Sequence, residues 1–276
     1  MGSSFEPDYI LNAQSAHTHT AIILHGRGSS GEEFAEEFME STLSTGRSLR
    51  DELPSWRWVF PSSKELWSTA FQEDMPAWFE AHSLTDPTAR QDLQVEGLRD
   101  SVEHVLLLIE EEAKRLDGHF ERLVLGGISQ GGAVALWALL CWRSSALRNL
   151  AALFATSTWL PFATEIEELL LGPKTSVQFD FSKQDEQAKD QLLKMVSPTD
   201  HHKPDSPHPT PVFLGHGADD AYVDIELGRQ VLHVLDRGGW NVEWREYTGA
   251  EEEGHWFKVP DEMDDIFRFL TRTVRN

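Results

Sequence analysis

The stretch that most constrains this chain is LGGISQGGAVAL, residues 125–136. One serine, Ser129, stands between Gly126-Gly127 and Gly131-Gly132. Glycine destabilises strands and helices, because the unfolded chain loses the most entropy there. Four of them around one hydroxyl mean that close backbone approach outweighs local stability. LVLG before the serine reads as a strand and AVALWALL after it as a helix. Strand, Gly-x-Ser-x-Gly, helix is a nucleophile elbow, a strained turn that lifts the hydroxyl clear of the backbone at a sheet edge. The helix behind it points free N–H groups and its positive dipole end at developing negative charge.

Such an elbow needs a parallel sheet, and the rest of the chain is patterned for one. Apolar runs at THTAIILHG (18–26), WRWVFPS (56–62), residues 122–126, LAALFAT (150–156), PVFLG (211–215) and NVEWREY (241–247) read as strands. Helical spacing joins Phe34, Phe38 and Leu43, and recurs from Gln91 to Leu116 through Val95, Leu98, Val102, Val105 and Ile109. Helical patterns also cover Ser129 to Trp142 and lie near 224–237 and 261–273. Strands alternating with helices predict an α/β class with a mostly parallel sheet covered on both faces. With 276 residues, 40% of them hydrophobic, the expectation is a single domain over 1–276. One polar segment, 173–209, interrupts it as an insertion that hangs exposed or covers the site as a lid. Its apolar cluster is Leu192, Leu193, Met195 and Val196.

A serine hydroxyl needs a base, and the base needs an acid to orient it. In this fold class they follow in the order serine, acid, histidine. HGADDAYVD after the fifth of these strands offers Asp219 and Asp220, and TGAEEEGHWF after the sixth offers His255. The spacing leaves the two aspartates tied. Two backbone amides must hold the oxyanion. Gln130 follows the nucleophile, and Arg27 lies in the glycine-rich loop LHGRGSSG (24–31) after the first strand. His25 in that loop reads as structural. His201, His202 and His208 lack the ordered ligand spacing of a metal site, so no metal is expected there.

A formal charge of −22 repels nucleic acid and anionic lipid headgroups. No run approaches the ~20 apolar residues that span a bilayer, and MGSSFEPDYI lacks a signal core. The single cysteine, Cys141, makes no internal disulfide. The expectation is a cytoplasmic protein that binds no nucleic acid and does not insert into membranes.

LHGRGSSGEEF, MPAWF (75–79), GGISQGGAVAL, STWLP (157–161), HGADDAYV and the final GH together resemble the acyl-protein thioesterase and carboxylesterase family of α/β hydrolases. The resemblance implies an α/β-hydrolase fold and cofactor-free hydrolysis of thioesters and carboxylic esters, with S-acylated protein, lipid or small-molecule substrates. It puts the nucleophile on Ser129, the acid on Asp220, the base on His255 and the oxyanion donors on the amides of Arg27 and Gln130. It makes Trp78 and Phe79 candidate apolar contacts for an acyl chain. A lysophospholipase, a dedicated small-molecule esterase and a non-catalytic binding protein on the same fold are the alternatives.

Three features depart from the family pattern. Arg27 stands where a small apolar residue is usual, and its guanidinium is expected to meet an acid group on the acyl side of a substrate. Glu251, Glu252 and Glu253 precede His255, where they either favour its protonated form or form a solvated loop. The third departure is the 173–209 insertion.

Overall fold

In the computed structural model, residues 4–83, 85–142, 149–171, 183–196 and 208–274 are described. The elements in chain order are β1 (Tyr9–Leu11), β2 (His19–Leu24), α1 (Gly31–Glu40), α2 (Leu49–Glu52), β3 (Trp56–Phe60), β4 (Lys64–Ser68), β5 (Glu73–Ala77), α3 (Gln94–Arg115), β6 (Leu123–Ile128), α4 (Ser129–Cys141), β7 (Ala152–Thr156), α5 (Ala163–Leu171), α6 (Lys183–Leu193), β8 (Val212–Gly217), α7 (Ile225–Arg237), β9 (Val242–Tyr247) and α8 (Asp261–Thr273).

Seven strands form one sheet in the order β1-β3-β2-β6-β7-β8-β9. All neighbours run parallel except β1, which closes the edge antiparallel to β3. Alternation along the strands then builds two cores. Ile22, Leu24, Leu125, Leu153 and Leu214 face one way, with α3, α4 and α7. Ala21, Ile23, Val124, Phe154 and Phe213 face the other, with α1 and α8. Because side chains change face at every residue, a central strand buried on both sides must be apolar throughout, as HTAIIL nearly is. The mostly parallel sheet with helices on both faces matches the predicted class.

β4 and β5 pair as a separate antiparallel hairpin, Lys64 opposite Ala77 and Ser68 opposite Glu73. The sequence reading had no strands there. Of the 173–209 insertion, residues 183–196 and 208–209 are described. Lys183–Leu193 is the helix α6, and it packs on α3. Leu192 is fully buried and Val196 nearly so, so this part of the insertion is docked on the core rather than hanging free. His201 and His202 lie outside the described residues, and His208 stacks on Trp240 with ring centroids 4.3 Å apart. Among the described residues, no helix is long and apolar enough to cross a membrane.

Candidate active site

Ser129 sits at the junction of β6 and α4 with φ +54°. A non-glycine residue in the left-handed region is held there at a cost of about 1–2 kcal/mol. The strain persists because the surroundings fix it. The Ser129 carbonyl accepts a hydrogen bond from Thr158 Oγ1 at 2.7 Å. Gly131, one turn in, lies against the preceding loop so closely that a Cβ would be driven into the carbonyl oxygens of Leu24 and His25. Elbow and loop therefore meet backbone to backbone. A Cβ built on Gly26 would stand 3.5 Å from the Ser129 Cβ.

That loop is braced by His25, which is fully buried. Its Nδ1 lies 2.6 Å from the Gly26 carbonyl, and its Nε2 accepts the Ser63 amide at 3.1 Å. An accepting Nε2 leaves the proton on Nδ1, which donates to Gly26. Burial pushes the imidazole down to about 4, against the opposing pull of the Gly26 carbonyl, so the ring is neutral at pH 7. The peptide between Gly26 and Arg27 is planar and trans, so fixing the carbonyl turns the Arg27 amide to the opposite side. The structural reading of His25 agrees with this geometry.

Gln130, the second residue of α4, is among the first four whose amides have no intrahelical acceptor. Its side chain has a further role that the sequence did not indicate. Oε1 accepts the Trp78 amide at 2.8 Å and Nε2 donates to the Phe79 carbonyl at 2.7 Å. The residue after the nucleophile thus clamps the 78–79 backbone. Trp78 itself is 1% exposed, and its indole N–H donates to the His25 carbonyl at 2.9 Å. Trp78 is thus a core residue that supports the loop carrying His25, Gly26 and Arg27. Phe79 is also buried, packs edge-on against Trp159 and reaches the wall of a cleft under the β4–β5 hairpin.

Asp220 and His255 come from the loops after β8 and β9. His255 Nδ1 and Asp220 Oδ2 are 2.8 Å apart. The Asp220 side chain is fully buried, and its Oδ1 accepts the amides of Tyr222 and Val223, both at 2.9 Å. Burial alone would push this carboxyl up. The His255 hydrogen bond and charge, with the two amides, outweigh that and hold it below the usual carboxylate range. Asp219 turns away and accepts the Gly249 amide at 2.8 Å. The geometry therefore separates two residues that the sequence left tied. Gly254 makes the joint possible: its φ is +86°, and a Cβ there would stand 2.7 Å from the Asp219 carbonyl.

Glu251, Glu252 and Glu253 are exposed, as a solvated loop would be, and the carboxylate that meets the His255 ring is that of Asp220. Tyr222, 44% exposed, stands edge-to-face on His255 with ring centroids 5.4 Å apart. Thr158 and Tyr222 lie within the STWLP and HGADDAYV stretches, but neither had a role legible in the sequence, since each acts through a contact distant along the chain. A rival nucleophile is disfavoured: Cys141 is buried in α4, and burial pushes its thiol up to about 12.

Residues 6–196 match the phospholipase/carboxylesterase family. Among curated relatives, an acyl-protein thioesterase 1 of Mycosarcoma maydis is 34% identical over 96% of each chain. That of Gibberella zeae is 30% identical over 96% of this chain and 94% of its own. Among solved structures, acyl-protein thioesterase 2 of Zea mays superposes with a TM-score of 0.67 at 23% identity, covering 98% of this chain and 99% of its own.

Proposed function

The chain belongs to the phospholipase/carboxylesterase family and is an ester or thioester hydrolase; on that premise we propose that it works through an acyl-enzyme on Ser129. Ser129 attacks the substrate carbonyl while His255 Nε2 takes its proton. Asp220 holds the imidazole in the Nδ1–H tautomer and stabilises the imidazolium. The amides of Arg27 and Gln130 hold the oxyanion as it forms. His255 then protonates the departing thiol or alcohol, and water repeats the attack on the acyl-enzyme.

The observation that carries this reading is the 2.8 Å hydrogen bond between His255 and a buried Asp220. It joins loops that leave the same sheet edge as the Ser129 elbow. The names of the relatives favour a thioester on an S-acylated protein as the substrate. A cytosolic setting belongs to the same reading.

The test is intact-mass spectrometry after exposure to a fluorophosphonate, with Ser129→Ala beside wild type. One adduct on wild type, absent from the variant, is expected. The variant should also lose at least about 10³-fold in kcat on thioesters while keeping its circular dichroism. An adduct of equal yield on Ser129→Ala would refute the assignment. A chain-length panel of thioesters and oxygen esters then orders the substrate classes.

A further inference from the structure

Arg27 is one residue from the contact between the loop and Ser129, and its side chain lines a narrow cleft with free space of about 10 Å³, room for one water. Leu66, Met75, Ala77 and Phe79 give that cleft an apolar wall, and Ser68 gives it a polar one. The guanidinium donates through Nη1 to the Ala81 carbonyl at 3.0 Å and lies 4.9 Å over the Phe71 ring. Among the described residues, the rest of its donor fork has no hydrogen-bond partner and it makes no ion pair. Glu80 also lines the cleft, but its Oε1 accepts the Thr69 amide at 2.8 Å. By contrast the buried Arg57 pairs with Glu112 at 2.9 Å.

An arginine stays charged when buried, and a buried charge without a counter-charge is costly. In a chain with 46 acidic and 24 basic residues, a half-buried guanidinium with no acidic partner among the described residues keeps an unused anion-binding capacity on the loop that touches Ser129. Its planar fork matches a carboxylate. Strand order indicates which part of a substrate would carry that group. Arg27 follows β2, on one side of β6 and Ser129, whereas His255 follows β9, on the other side. The leaving group must face His255 to be protonated, so the acyl portion extends toward Arg27.

We propose that Arg27 is a specificity determinant, and that the enzyme prefers esters and thioesters whose acyl group ends in a carboxylate, as in half-thioesters of short dicarboxylic acids. The proposal rests on the acyl-enzyme reading of Ser129. It departs from a purely aliphatic acyl preference by one side chain.

The test compares glutaryl and 5-methylhexanoyl thioesters of one thiol, which differ in charge but hardly in shape. Wild type should favour glutaryl by at least about tenfold in kcat/KM, the usual scale of a charge-assisted hydrogen bond. Arg27→Gln should reduce that ratio at least tenfold, and Arg27→Lys should retain part of it. The ratio is read within each variant, so a change in oxyanion geometry cancels. A wild-type preference for 5-methylhexanoyl overturns the proposal, even if a variant fails to fold. So does a ratio unchanged in Arg27→Gln, which would make Arg27 a brace for the hairpin through Phe71. Ser129→Ala runs alongside. If it hydrolyses both thioesters at the wild-type rate, the failure belongs to the nucleophile assignment and takes this proposal with it. If it is inactive and the ratio is flat, the failure is that of Arg27 alone.

Discussion

At Gly254 the backbone takes a left-handed turn directly against the Asp219 carbonyl and the Asp220 amide. Gly254→Ala adds one methyl where strain and collision coincide. It should displace His255 relative to Asp220 and lower kcat by about 10²-fold, the cost of a displacement near 1 Å. Steady-state kinetics with a parallel thermal melt would separate that loss from unfolding. Such residue-scale constraints were partly legible. Ser129 and His255 stand out because a glycine-flanked serine and a strand-end histidine are rare patterns. Spacing alone did not separate Asp219 from Asp220, since adjacent residues share a loop and only the turn decides which carboxylate faces inward; the family resemblance pointed to Asp220. Thr158, the Gln130 side chain and Tyr222 escaped notice because their roles consist of contacts made across the fold. The burial of Trp78 was not legible, because an aromatic next to a functional motif reads alike whether it faces ligand or core.

The elements most visible in sequence were those buried on both faces. β2, β6, β7 and β8 are continuous apolar runs, and α3 has a regular stripe. The β4–β5 hairpin was missed because Pro76 and the acidic pair Glu73-Asp74 argue against a strand. Those residues are tolerated in a two-stranded ribbon outside the main sheet. α6 was obscured by the polar run QDEQAKD, in which Glu186, Gln187 and Asp190 are exposed, while a short apolar end provides the anchor. Leu192 is that anchor. Leu192→Ala should destabilise the protein by roughly 2–5 kcal/mol, as truncation of a fully buried leucine does. Denaturant unfolding would read it directly. A shift below about 0.5 kcal/mol would mean that α6 is not docked on α3 in solution.

Across the whole molecule, stability is tied to pH through a buried carboxyl outside the Ser129, Asp220 and His255 set. Glu262 is 1% exposed, accepts Thr156 Oγ1 at 2.8 Å and the Lys258 amide at 2.9 Å. Burial pushes its carboxyl up to about 7 from 4.5; the two hydrogen bonds oppose that and Asp265 adds to it. Between those pH values the native state holds a proton that the unfolded chain releases. This group's contribution therefore falls as pH rises through about 4.5 to 7, and levels off above. Asp220 works in the opposite sense at lower pH, where its contribution disappears as pH falls through its depressed folded value. Glu262→Gln mimics the protonated form. It should raise Tm at pH 8 and give no gain at pH 4.5, in thermal unfolding at the two pH values.

The seven-stranded sheet also divides the proposed catalytic parts between two stretches of chain. β2 and β6 bring the Arg27 loop and the Ser129 elbow, whereas β8 and β9 bring Asp220 and His255, with α6 and residues 197–207 between the two sets. A polypeptide cut within 197–207 would yield two fragments, each carrying half of the chemistry and neither able to turn over an ester. Joined through the pairing of β7 with β8, they would recover activity. Expressed separately and fused to two interacting proteins, the halves should form a split enzyme whose ester hydrolysis reports the encounter. Each fragment alone should be silent in the same assay.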